Sequence, residues 1–144
     1  MKKLFSFKIL SLIIAVVLIS IQFIRIDKGN PTVNTEMDYI QMVQPPAEIA
    51  GLLKSVCYDC HSNETEYPWY ANIAPLSWTI QSHVKNGREN LNFSVWGNYQ
   101  PGKQGHLNDE CKERVENGDM PLTSYTFLHP AARFSQENRE LLKN

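Results

Sequence analysis

The pentapeptide Cys57-Tyr58-Asp59-Cys60-His61 constrains this chain more than any other stretch. Two thiols with two residues between them, followed at once by an imidazole, form the pattern through which c-type haem is attached. Each sulfur can add to one vinyl group, and the histidine then falls beneath the iron. With three cysteines and four histidines in 144 residues, chance produces such a pentapeptide in roughly two chains per thousand of this composition. A fold that carries it must hold both sulfurs in register with one rigid macrocycle. In so short a chain, an enclosed haem also supplies much of the apolar volume of the core.

Zinc is the main rival for the same residues. A structural zinc site normally takes four protein ligands at defined spacing, and the sequence has only Cys111 left, with no second C-x-x-C or H-x-x-x-H pair near it. In a Cys57–Cys60–His61–Cys111 tetrad, the adjacent Cys60 and His61 would chelate one ion awkwardly. A redox dithiol is disfavoured because no βαβ pattern surrounds the pair. With Cys57 and Cys60 taken by thioethers, Cys111 reads as a small buried hydrophobe on a helix.

Residues 9–24 are apolar except for Ser11, Ser20 and Gln22. Counted from Leu4, the run is 21 residues long, enough for a helix to cross a bilayer. Its apolar side chains cover every face, whereas a buried surface helix shows one stripe. Lys2, Lys3 and Lys8 precede it and only Arg25 and Lys28 follow closely, a bias that keeps the N-terminus cytoplasmic and exports the rest. No A-x-A-like cleavage site follows Ile24, so residues 1–26 read as an uncleaved signal anchor, residues 27–35 as a polar linker and residues 36–144 as one small domain. The expected location is the inner membrane, single-pass, with the C-terminal domain in the periplasm. Residues 27–144 hold all 15 acidic and 10 of the 14 basic side chains, a net charge of −5. No basic stripe for nucleic acid is present.

Nothing reads as paired strands. Pro45 and Pro46 suit a helix start, and Ile49, Leu52, Leu53 and Val56 recur at i, i+3, i+4 and i+7, so a helix delivers its packed side directly to Cys57. A second helix is expected over residues 76–90, with Leu76, Ile80, His83, Val84 and Gly87 on one side. A third is expected over residues 109–117, capped by Asn108 and stopped by Gly118. A fourth, over residues 136–142, is capped by Ser135. Tyr67, Trp69, Tyr70, Trp78, Phe93 and Trp96 are expected mainly in the core.

Opposite a proximal histidine, haem iron takes Met or His or is left open. Met37 and Met42 lie near the linker. Met120 follows a helix stop in Gly118-Asp119-Met120-Pro121, where proline stiffens the loop, and it is the favoured distal ligand. His83, on the apolar face of its helix, is the alternative. His106 sits in a polar loop, and His129 is suited to bracing a loop or meeting a propionate. Arg88 is a further propionate candidate, as is Lys85, for which surface solvation is the better assignment.

Cys57–Asn63, Tyr67-Pro68-Trp69-Tyr70, Ile73-Ala74-Pro75, Ser77-Trp78, His83-Val84, Gly87-Arg88, Leu91-Asn92-Phe93-Ser94, Trp96, Gly118–Pro121, Tyr125 and His129-Pro130 together resemble the bacterial haem-binding domain family, over roughly residues 36–142. The resemblance implies a small anchored c-type cytochrome, sometimes found beside di-haem peroxidase modules. The expected fold is all-α, a small cytochrome c-like helical domain around a covalently attached haem, preceded by one transmembrane helix. The expected cofactor is one haem c, held by Cys57, Cys60, His61 and Met120. The expected function is single-electron transfer with redox partner proteins rather than catalysis. A haem peroxidase or sensor with an open or labile sixth position is the alternative, and there His83 or His129 would serve as the distal acid–base group.

Overall fold

A computed structural model describes residues 2–143, with side chains from Ser6 onward. Among the described residues there is no strand. The chain passes through α1 (Lys2–Ser20), α2 (Tyr39–Val43), α3 (Ala47–Leu52), α4 (Tyr58–His61), α5 (Leu76–Asn90), α6 (Pro101–Glu116), α7 (Thr123–Leu128) and α8 (Gln136–Lys143). The all-α expectation holds. Two compact units emerge: the chain up to Gly29 together with Tyr67–His83, and the remainder.

In the first unit, Ser6–Phe23 is long and apolar enough to cross a membrane, and none of it is buried. Trp69–Asn72 forms a 3-10 turn between Pro68 and α5. The aromatic expectation divides here. Tyr70 is buried, whereas Trp69, which meets the Tyr70 ring edge-on at 5.7 Å, is 76 % exposed. Trp78 is half-buried, and its Nε1–H donates to the Ile24 carbonyl at 3.1 Å.

The second unit is built on Leu53, Tyr58 and Phe93, with Tyr39, Ile40, Ile49, Leu91 and Leu142 packed around them. Tyr58 and Phe93 stack with centroids 5.2 Å apart, and Tyr39 meets Phe93 and Trp96 edge-on at 5.3 and 4.8 Å. Such aromatic pairs add about 0.5–1.5 kcal/mol beyond their area. The helix over 76–90 forms with the expected bounds. Val84 is buried on it, yet Leu76 is 45 % exposed. Ser135 caps the last helix through its Oγ, which accepts from Asn138 N–H at 3.1 Å.

α6 departs from expectation. It starts at Pro101, eight residues before the expected start, and takes in Gly102, Gly105 and His106. Proline at the first helical position has the required φ already set. Leu107 and Val115, eight residues apart, are 6 % and 5 % exposed, and this burial outweighs the weak helix propensity of two glycines. His106 is exposed, but on this helix rather than in the expected polar loop. The helix ends at Glu116, and Gly118 just beyond it has a φ of +79°, which suits a residue without a side chain.

Candidate haem site

The approach to the pentapeptide is one continuous helical run. α3 passes through a π turn over Leu53–Cys57 directly into α4. Cys57, Cys60 and His61 therefore share one turn of helix. Both residues between the thiols are held from outside. Tyr58, 2 % exposed, donates its hydroxyl to Asp38 Oδ1 and Oδ2 at 2.9 and 3.1 Å. Asp59 accepts from Glu66 N–H at 3.1 Å and from the Tyr125 hydroxyl at 2.9 Å.

His61 is oriented by the chain that follows α5. Its Nδ1 lies 3.0 Å from the Leu91 carbonyl oxygen. A carbonyl only accepts, so the proton resides on Nδ1, and the lone pair of Nε2 is left for a metal. Burial lowers the imidazole pKa, opposed by the Leu91 and Gly87 carbonyls. Burial prevails, and the net lowering suits a ligand, which must be neutral. Gly87 lets α5 come this close: a Cβ there would sit 2.4 Å from the Cys60 carbonyl oxygen. Phe93 closes one side, edge-on to the imidazole at 6.4 Å.

The loop after His61 is fastened to the same neighbour. Asn63 N–H donates to Ser94 Oγ at 3.0 Å, Asn92 Nδ2 to Asn63 Oδ1 at 2.8 Å, and Ser94 N–H to Asn92 Oδ1 at 3.0 Å. Arg88 donates to the Ser62 carbonyl at 2.6 Å, to Asn30 Oδ1 at 2.6 Å and to Thr65 Oγ1 at 2.9 Å. The guanidinium is thus a clamp on this loop, not a free cation awaiting a propionate. Lys85 pairs with Glu89 at 4.0 Å on the surface. Sequence reasoning assigned no role to Ser62, Asn63, Asn92 or Ser94. Their clustering just after the pentapeptide and just after Gly87-Arg88 was the available signal.

Beside this frame lies a mostly apolar cavity of about 360 Å³, within the usual range of ligand pockets. It is bordered by Ile49, Leu53, Cys57, Phe93, Cys111 and Leu142 among others. Cys60, His61, His83 and Met120 are outside its lining. Burial, reinforced by Cys111 and Cys60, pushes the Cys57 thiol upward. Burial and Asp59 push Cys60 up to about 11, and burial with Glu110 raises Cys111. All three sulfurs are held as neutral thiols. Cys111 is half-buried on α6 and faces the cavity that Cys57 borders, which places it nearer the attachment motif than its role as a plain helix hydrophobe implied.

Met120 is half-buried in the loop after α6, where its N–H donates to the Arg114 carbonyl at 3.1 Å. The Met120-Pro121 peptide bond is cis. Five residues later, Tyr125 binds Asp59, so this loop leads into a helix tied to the pentapeptide. Met37 and Met42 direct their sulfurs at Gly97, where an added Cβ would meet them at 2.5 and 2.9 Å. His83 belongs to the first unit and His61 to the second. His129 stacks on Tyr125 at 4.2 Å, with Nδ1 3.1 Å from the Tyr125 carbonyl, and so braces α7. Among the described residues, no three His, Cys, Asp or Glu side chains are grouped to hold a metal ion, so the zinc tetrad through Cys111 is not assembled.

A family model described as a haem-binding domain matches residues 16–144. The chain belongs to the haem-binding domain family. No curated protein and no solved structure matches it significantly. The residues of this haem-binding domain fit the group its family implies: paired thiols and an imidazole on one helical turn, with the imidazole held by a carbonyl at Nδ1.

Proposed function

We propose that this haem-binding domain is a monohaem c-type cytochrome, anchored in the inner membrane by α1, that passes single electrons between redox proteins in the periplasm. The observation that carries the reading is the 3.0 Å contact between His61 Nδ1 and the Leu91 carbonyl. Histidines that ligate metals donate their second N–H in this way, which fixes the tautomer and raises ligand basicity. Bound haem supplies the one-electron couple.

The chain's own residues supply the rest. Cys57 and Cys60 provide two neutral sulfurs for the thioether tethers. His61 Nε2 and the Met120 thioether would hold the iron. A His/Met pair would supply a higher potential than bis-His ligation, which suits a carrier rather than an enzyme. Tyr58, Phe93 and the other packed aromatics keep water from the buried side of His61. The anchor holds the domain at the membrane surface, where its redox partners reach it.

Two measurements test this. Intact mass of the membrane-extracted protein, expressed with a haem-maturation system, is expected to show one covalent haem and an uncleaved N-terminus. The ferric spectrum is expected to carry the far-red band of sulfur–iron coordination, lost in Met120→Ala. Pigment that acid extraction removes would refute covalent attachment. A far-red band that survives Met120→Ala would remove Met120 from the iron.

A further inference from the structure

The first unit contains a surface with no task in holding haem. Residues 67–83 include no Asp, Glu, Lys or Arg, in a chain where 20 % of residues are charged. This stretch is sewn to the end of the anchor. The Gln22 carboxamide both accepts from Ala74 N–H and donates to the Ala74 carbonyl, each at 3.0 Å. Arg25 donates to the Asn72 carbonyl at 3.0 Å, Lys28 to Asn72 Oδ1 at 2.7 Å, and Trp78 to the Ile24 carbonyl at 3.1 Å. Its outward side chains are apolar: Trp69 is 76 % exposed, Ile73 41 % and Leu76 45 %, beside Phe23 at 83 % and Ile24 at 60 %.

Depth follows from the span. The 18 residues Ser6–Phe23 cover about 27 Å as a helix, close to the thickness of a bilayer's hydrocarbon layer. Gln22 then stands at the outer edge of that layer, and Ala74, hydrogen-bonded to it, stands at the same level. A solvent-exposed Trp, Ile and Leu within five residues of Ala74 would be costly in water. At the boundary of headgroups and acyl chains they are favourable, with tryptophan the residue most at home there. Arg25 and Lys28, just beyond the span, lie where lipid phosphates lie and match them in charge.

We propose that Trp69, Ile73 and Leu76 form a second membrane contact that seats in the outer face of the bilayer beside the anchor. The occupant of this surface is lipid, with the apolar side chains in the acyl boundary and Arg25 and Lys28 at the phosphates. The anchor then meets the membrane as a helix plus a fixed foot, not as a helix alone. This rests on the reading of α1 as a retained transmembrane helix.

The full-length haem-loaded chain, in nanodiscs of phosphatidylcholine and phosphatidylglycerol, separates the two ideas. Nitroxide labels are placed singly through Phe23→Cys and Ile73→Cys in a Cys111→Ser background, both at exposed positions. Collision rates with oxygen and with an aqueous nickel chelate then report depth. At both sites, oxygen collisions are expected to exceed nickel collisions several-fold. If the label at 23 favours oxygen and that at 73 favours nickel, the foot is refuted and the anchor stands. Nickel-favouring labels at both sites would remove the anchor reading and the foot with it. A second measurement avoids new cysteines: acyl-brominated lipids are expected to quench a component of tryptophan emission that disappears in Trp69→Phe, and no difference between the two proteins would also overturn the proposal.

Discussion

Replacing Gly87 by alanine should destabilise this protein, although alanine is the better helix former. Glycine inside a helix costs about 0.5–1 kcal/mol relative to alanine, so at an open position the change stabilises. At Gly87 the added Cβ would lie 2.4 Å from the Cys60 carbonyl oxygen and 2.9 Å from its carbon. Both are backbone atoms of a helix and cannot rotate aside. Reaching ordinary contact, near 3.4 Å, requires α5 and the pentapeptide turn to part by about 1 Å. Overpacking of this kind costs about 1–3 kcal/mol. The same retreat stretches the 3.0 Å bond from His61 to Leu91, worth about 0.5–1.5 kcal/mol. After subtraction of the helical gain, the net loss is about 1–3 kcal/mol. At about 4 °C per kcal/mol for a chain of this size, that is a fall in Tm of roughly 4–12 °C. Gly51, exposed on α3 with nothing within 4 Å of its ideal Cβ, is the control, and Gly51→Ala should gain about 0.5–1 kcal/mol. Urea titrations of both holo variants by far-UV circular dichroism measure the difference. A Gly87→Ala protein as stable as wild type, or one that tracks Gly51→Ala, refutes the reasoning.

Burial, and then the Asp38 carboxylate, raise the Tyr58 pKa. The stability it contributes is therefore complete below the ordinary tyrosine value near ~10 and falls as pH rises beyond it. In the holo Cys111→Ser protein, where no raised free thiol titrates, urea midpoints should be flat from neutral pH to about 10 and then decline. Tyr58→Phe should shallow that decline while costing about 1–3 kcal/mol at neutral pH, because Asp38 Oδ2 loses its donor in a buried site. Cys111→Ser should keep full covalent haem by intact mass, since Cys57 and Cys60 alone carry the thioethers, and loss of haem in that variant would make Cys111 part of the attachment chemistry.

The helices were legible wherever apolar spacing and capping chemistry agreed. Residues 76–90 and the helix after Ser135 formed as their patterns implied. α6 was half-hidden because Gly102 and Gly105 lower local propensity, and only the tertiary burial of Leu107 and Val115 shows why the helix extends back to Pro101. The pentapeptide exposed its chemistry in five residues. Its support did not, since the Leu91 carbonyl that orients His61 is a backbone atom 30 residues away, and no side-chain pattern encodes it. Trp69 misled for a related reason: residue type makes tryptophan a core residue, and only the three-dimensional neighbourhood reveals that it is 76 % exposed.

The π turn at Leu53–Cys57 explains how one helix serves both the core and the cofactor motif. Leu53 and Tyr58 belong to the same core cluster and are 5 % and 2 % exposed. Five residues apart on a regular α-helix, they would point about 140° away from each other, and one would face solvent. Instead the Tyr58 N–H donates to the Leu53 carbonyl, five residues back, which widens the turn and brings both side chains round to Phe93. The face that carries Ile49, Leu53 and Val56 is thereby rotated before it reaches the motif. Tyr58 takes the core position, and Cys57, Cys60 and His61 are left half-buried at its margin. A regular 3.6-residue period would have kept the Ile49 face in line with Cys60. The wide turn puts Tyr58 in the core and sets Cys57, Cys60 and His61 at its edge, with Cys57 still packed against the cluster, and π turns recur at functional sites because they re-aim side chains in this manner.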